Sequence, residues 1–140
     1  MNNKMTLKFS ALSENEAFAR TAVIAFIMNL DPTIEQITDI KTAVSEAVTN
    51  CIVHGYPNEK GDITMECELV DETLHIKISD YGIGIDNVKK VLEPFYTSKP
   101  MEERAGMGFT IMRTFMDSFE VLSTLNNGTT VKMTKYLKIA

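Results

Sequence analysis

Apolar and polar residues alternate over Met5-Thr6-Leu7-Lys8-Phe9-Ser10, the period of a half-buried β-strand. Ser13 and Glu16 have capping-box spacing and predict a helix from there to about Leu30, ended by Asp31-Pro32-Thr33. Inside it, Ala22 to Met28 is an unbroken apolar run, so every direction around the axis is apolar there. A second helix is predicted from about Ile34 to His54, with Ile37, Ile40, Val44, Ala47, Val48 and Cys51 on one stripe and Gly55 just past its end. Two strands follow, joined by a tight turn at Asp71-Glu72. Ile63, Met65, Cys67 and Leu69 share one face of the first, and Leu74, Ile76 and Ile78 one face of the second. A short helix is expected near Asp86 to Leu92, then an irregular stretch from Glu93 to Ala105. A helix from about Met107 to Ser118 leads into strands near Phe119 to Leu125 and Thr129 to Leu137, turned by Asn126-Asn127-Gly128.

Strands with one apolar face need cover on one side only. The pattern therefore predicts an α/β (α+β) two-layer sandwich: a mostly antiparallel sheet of about five strands with helices on one face. A parallel doubly wound fold would need strands apolar on both faces. With no repeat, low-complexity tract or linker, residues 1–140 are expected to form a single domain.

Composition changes the picture in few places. The chain has 140 residues, 44% of them hydrophobic, enough for a core without disulfides or metal. Its net charge is −5 and its pI about 5.0, which leaves no basic footprint and disfavours direct nucleic-acid binding. No apolar run has the length of a membrane span or a signal peptide, so a cytoplasmic protein without membrane contact is expected. Cys51 and Cys67 fall on apolar faces and suit buried thiols in a reducing compartment.

Three blocks carry candidate chemistry. Glu46, Asn50 and His54 stand at successive i, i+4 steps on a polar stripe beside the apolar one. A carboxamide oxygen there can help hold Mg²⁺ against phosphate oxygens while the carboxylate accepts a proton, although a solvated helix face has the same pattern. Asp80-Tyr81-Gly82-Ile83-Gly84 puts an acid at a strand end beside glycines, able to accept a hydrogen bond from an exocyclic amine such as that of adenine; a plain turn would also use these residues. Gly106-Met107-Gly108 is expected to open a helix, with free N–H groups and the positive dipole end facing an anion. A dinucleotide fingerprint is excluded because no strand runs directly into it. Between the last two blocks, Thr97, Ser98, Lys99 and Arg104 lie on a stretch interrupted by Pro94 and Pro100, suited to a lid over a triphosphate or to a bare surface loop.

The order Glu-x-x-x-Asn, Asp-x-Gly-x-Gly, Gly-x-Gly and a late Gly128-Thr129-Thr130 resembles the GHKL ATPase superfamily, which includes gyrase B, MutL and histidine-kinase ATP domains and has the Bergerat fold. Within it, Val44 to Asn50 with His54-Gly55-Tyr56, the stretch Pro94 to Pro100, and Ala105 to Met112 are similar to the anti-sigma serine kinases, most of all to the sporulation members of that family. The resemblance implies ATP/ADP and Mg²⁺ as cofactors. It implies Glu46 as catalytic base and Asn50 as magnesium ligand, with His54 on the same stripe of the nucleotide site. It further implies Asp80 as reader of the adenine amine with Gly82 and Gly84 beside the base, Gly106, Met107 and Gly108 around the phosphates, Thr130 near the adenine pocket, and Thr97, Ser98 and Lys99 in the lid. The implied partners are a sporulation sigma factor (sigma F), an anti-anti-sigma antagonist phosphorylated on serine, and a second copy of the chain met through the first helix or the edge strand Met5 to Ser10. Arg20 is a candidate partner contact, though an exposed arginine is also simply solvated.

Two departures from the family pattern are Cys51, where alanine is usual, and Ser98, where a second threonine is common. The phosphoacceptor histidine and dimerisation helix of a sensor kinase are missing, so autophosphorylation on His54 or His75 is not expected. Two other readings stay open: a nucleotide-gated binding module without kinase activity, and an ATPase without a protein acceptor.

Overall fold

The computed structural model describes residues 2–57, 60–85, 88, 92 and 100–137. Strand β1 (Asn2–Ser10) leads into α1 (Glu14–Ile27) and a 3₁₀ turn (Met28–Leu30); α2 (Ile34–Asn50) runs on into a π-helical turn (Cys51–Gly55). Then come β2 (Asp62–Val70), β3 (Thr73–Asp80), α3 (Pro100–Phe115), β4 (Ser118–Ser123) and β5 (Thr129–Tyr136). The strands form one five-stranded sheet in the order β1-β2-β3-β5-β4, antiparallel at every pairing. The α/β class, the antiparallel sheet and its strand number are as the alternation predicts.

Register explains the core. Phe9 pairs with Ile63, Met65 with Ile78, Cys67 with Ile76, and Ile76 and Ile78 with Met133 and Val131, so the apolar positions of neighbouring strands form continuous rows on one face. The helices bury that face with Ala19, Val23 and Ile27 of α1, Ile40, Val44, Ala47 and Val48 of α2, and Phe109 and Met112 of α3. On the other face Glu66 and Lys77 pair at 3.5 Å, and a concavity of about 800 Å³ is lined by Lys4, His75 and Lys132 together with Phe119.

Local differences from the sequence reading have physical causes. Ser13 makes no side-chain cap: its backbone is already helical (φ −54°, ψ −35°), whereas a capping side chain needs an extended backbone. Glu16 instead faces Arg20 at 3.4 Å. The capping box stands at the start of α2, where extended Thr33 accepts from the N–H of Gln36 (3.0 Å) and Gln36 Oε1 accepts from the N–H of Thr33 (2.9 Å). The apolar run of α1 is largely covered within the chain: Val23 and Ile27 are buried, Ala22, Ile24 and Phe26 partly so, and Met28 is exposed.

The helix expected to begin at Met107 begins at Pro100. Proline suits a first helical turn, Glu102, Glu103, Arg104 and Ala105 propagate helix well, and an interior glycine costs only about 1 kcal/mol. Of the helix expected at 86–92, Val88 and Leu92 are described and share one i→i−4 backbone bond of 3.1 Å. The stretch 93–99 lies outside the described residues.

Candidate active site

Helix α2 carries the first three candidate residues along its length, and the π-helical turn changes their fan. Glu46 and Asn50 are one α-turn apart, whereas His54 sits within the wider turn Cys51–Gly55, where backbone bonds reach i−5, as from the N–H of Tyr56 to the carbonyl of Cys51 (3.2 Å). All three border a cavity of about 240 Å³ closed on its far side by Met107, Gly108 and Ile111 of α3. Asn50 and His54 also border a smaller one, about 20 Å³, whose opposite wall is Asp80, Gly84, Phe109 and Thr129. The first and second blocks of the sequence therefore meet across Asn50 and His54.

Gly106 and Gly108 do not open a helix. Both lie inside α3, and the carbonyl of Gly106 accepts from Thr110 Oγ1 (2.9 Å). The role visible for Gly108 is close approach: a Cβ there would stand 3.0 Å from Asn50 Nδ2 and 3.1 Å from Glu46 Oε2. Asn50 Nδ2 is the buried side-chain polar atom left without a hydrogen-bond partner among the described residues. An unpaired buried amide costs roughly 1 to 3 kcal/mol and marks a place where a ligand group fits. Burial also pushes the Glu46 carboxyl above its ordinary range.

Asp80 ends β3 and is buried, 5% exposed. Its Oδ1 accepts from the N–H groups of Gly82 (2.9 Å) and Thr129 (3.3 Å), and Cys51 borders the same small cavity. Burial raises its pKa, and these donors pull the other way. Gly55 lies flat against the carboxylate: any Cβ there would fall 2.8 Å from Oδ2, so only glycine fits. Gly82 packs against the carbonyl of Gly55, and Gly84 (φ +73°) against that of Thr124, so both glycines serve the turn that holds Asp80.

Thr130 is not beside Asp80. It pairs with Ser79 on the outer face of the sheet, Oγ1 to Oγ at 3.0 Å, while Thr129 is the residue opposite Asp80 in register. The period-two signal was present: Val131 and Met133 face the core, so Thr129 must share their face. Thr97, Ser98 and Lys99 lie outside the described residues, and Arg20 is on α1 beside Glu16. Sequence reasoning also missed the part played by Tyr56, whose hydroxyl accepts from the N–H of Tyr81 (2.7 Å) and donates to the carbonyl of Asp62 (2.8 Å), tying the turn after Asp80 to the start of β2.

Comparison with known proteins agrees with this arrangement. Residues 9–135 match the family model of the histidine kinase-like ATPase domain. The anti-sigma F factor of Caldanaerobacter subterraneus subsp. tengcongensis is 57% identical over 136 residues, covering 97% of this chain and 95% of that protein. The anti-sigma F factor of Clostridium beijerinckii is 55% identical over 139 residues, covering 99% and 97%. In fold, the chain resembles the RsbU and RsbW domains of Rv1364c from Mycobacterium tuberculosis, with a TM-score of 0.71 at 18% identity over 99% of this chain and 33% of that one. An antiparallel sheet covered by helices, an acid at the end of β3 facing a Glu-x-x-x-Asn helix, and full-length likeness to these relatives lead to one assignment: the chain belongs to the histidine kinase-like (GHKL) ATPase domain family, among the anti-sigma F factors.

Proposed function

We propose that the chain is an ATP-dependent protein serine kinase that also binds and inhibits a sporulation sigma factor. The observation that carries the kinase reading is the convergence of Glu46 Oε2 and the Asn50 amide on one point above Gly108, at about 3 Å, with the Glu46 carboxyl raised by burial. Two oxygen-bearing side chains of this kind suit a magnesium nucleotide: Asn50 Oδ1 as a hard-cation ligand, Glu46 as proton acceptor. When bound, ATP supplies the phosphoryl group and Mg²⁺ neutralises its developing charge. Glu46 takes the proton of a serine hydroxyl presented at the cleft mouth. Asp80 accepts a hydrogen bond from the 6-amino group of adenine, and His54 bounds the space between base and phosphates. A Cβ on Gly108 would stand 3.0 Å from Asn50 Nδ2 and 3.1 Å from Glu46 Oε2, so glycine at this position keeps the space beside both groups clear.

The sigma-factor role rests on the names of the relatives, at 55 to 57% identity over nearly the whole chain. We assign the acceptor serine to an anti-anti-sigma protein, the working form to a homodimer and its place to the cytoplasm; no helix among the described residues is long and apolar enough to cross a membrane. Incubation with γ-labelled ATP, Mg²⁺ and the antagonist protein tests the reading. Label on an antagonist serine is expected. Nucleotide binding without label would leave a nucleotide-gated binding module, and free phosphate alone an ATPase.

A further inference from the structure

The chain leaves the π-helical turn at Tyr56, whose buried ring lies so close over Gly61 that a Cβ there would collide with it. In the register of β2 and β3, Ile63 faces Asp80, so the next pair along the ladder would be Asp62 with Tyr81. That pair does not form. The Tyr56 hydroxyl stands between the two, accepting from the N–H of Tyr81 (2.7 Å) and donating to the carbonyl of Asp62 (2.8 Å). It takes the place of a ladder bond, and β3 ends at Asp80. Parted from β2, the chain crosses to Gly55: the N–H of Ile83 donates to the Gly55 carbonyl (3.1 Å), and Gly82 lies flush against that carbonyl, with no room for a Cβ. Gly82, one residue beyond Tyr81, gives its own N–H to Asp80 Oδ1 (2.9 Å). The hydroxyl therefore stands one residue away from the bond that aims the carboxylate.

We propose that Tyr56 is a positioning residue for base recognition: its hydroxyl, wedged between Asp62 and Tyr81, ends β3 at Asp80 and holds Gly82 where its N–H fixes the carboxylate, so that the site selects 6-amino over 6-oxo purine nucleotides. This inference rests on Asp80 being the base reader. Tyr56 lines neither cavity of the cleft and acts through Gly82 and Asp80. Phenylalanine keeps the ring over Gly61 and removes the wedge. Tyr81 N–H and the Asp62 carbonyl, both left without a partner, then close on each other and lengthen the ladder by one pair. That movement draws the Gly82 N–H off Oδ1 and leaves the carboxylate the longer bond from Thr129 (3.3 Å). A bond to a 6-amino group weakens as its acceptor loosens, whereas a 6-oxo group has no proton to offer and loses nothing.

The experiment is calorimetric titration of the whole chain with ADP and with IDP, which differ at the purine 6-position, for the wild type, Tyr56→Phe and Thr64→Ala. The last removes only the contact of the exposed Tyr81 hydroxyl with Thr64 Oγ1 (3.2 Å). The wild type is expected to prefer ADP, Tyr56→Phe to lose about three- to tenfold of that preference, and Thr64→Ala to keep it. An unchanged preference in Tyr56→Phe, or an equal fall in Thr64→Ala, overturns the role of Tyr56 alone. A wild type that binds ADP and IDP equally overturns the base-reading role of Asp80, and this inference with it. Hydrogen exchange in the wild type tests the wedge without a variant: the Tyr81 amide, beyond the end of β3, should exchange as slowly as amides within the strand, and exchange at the rate of an exposed turn overturns it.

Discussion

Gly108 of α3 and Asn50 of α2 are in such close approach that a single methyl group would fill the gap, its carbon 3.0 Å from Asn50 Nδ2. Gly108→Ala gains about 1 kcal/mol of helix propensity and spends it displacing two flexible side-chain tips by a few tenths of an ångström. The melting temperature should move by only a few degrees, while Mg-ATP affinity falls about tenfold or more because the methyl stands between Glu46 and Asn50. Thermal melting and calorimetry on the same sample check both halves. Normal affinity would show that the phosphates lie elsewhere.

Glu46→Gln keeps the shape of the side chain and removes the proton acceptor. Phosphotransfer should fall by about 10² to 10⁴ with ADP binding little changed. The pKa direction adds a second readout. Since burial raises the Glu46 carboxyl, the acidic limb of the wild-type rate profile should lie above the ordinary glutamate value of about 4.3, with activity lost as pH falls through it. That limb should be missing from the residual activity of the variant. Transfer at the normal rate would remove Glu46 from the chemistry.

Period and register account for what was legible in the sequence. Alternation at Ile63 to Leu69 and Leu74 to Ile78 fixes which face is dry, so the sheet and the cleft-side position of Glu46 and Asn50 follow from side-chain pattern alone. By the same rule Thr129 shares the core-facing side of β5 with Val131 and Met133, opposite Asp80 in register, and Thr130 takes the other face. The start of α3 was hidden because glycine signals both helix ends and close approach, and at Gly108 the second use wins. The π-turn, and the meeting of Cys51 and Asp80 at one cavity, depend on tertiary packing, which no local pattern encodes.

Asp80→Asn separates binding from stability. Burial raises the folded-state pKa of Asp80 above its unfolded value, so the folded form holds the proton more tightly. The corresponding stability is present below the ordinary aspartate value of about 3.9 and lost as pH rises through the raised one. At neutral pH the ionised carboxylate therefore costs the fold something that a neutral amide does not. The nucleotide-free variant should melt at or above the wild-type temperature at pH 7, with the difference shrinking toward pH ~4. Adenine nucleotides should bind about ten- to a hundredfold more weakly. Equal losses for ATP and GTP in competition would mean that Asp80 holds the turn and does not read the base.

Lys135 fastens the end of α3 that lies away from the cleft. From β5 its ammonium reaches Asp39 of α2 at 3.1 Å and the carbonyl of Phe115, the last residue of α3, at 2.5 Å, with the two charged side chains 11% and 17% exposed. A pair this dry is costly to halve: Lys135→Met strands the Asp39 charge and a helix-terminal carbonyl, and should lower stability by about 3 to 5 kcal/mol. Replacing both partners removes the stranded charge, so Lys135→Met with Asp39→Leu should recover most of the loss. Urea unfolding decides, provided the slope of free energy against denaturant stays constant across the series. A double variant as unstable as the single one would place the value of Lys135 in its bond to Phe115, and the N-terminal half of α3 would then depend on that bond for its position over Asn50.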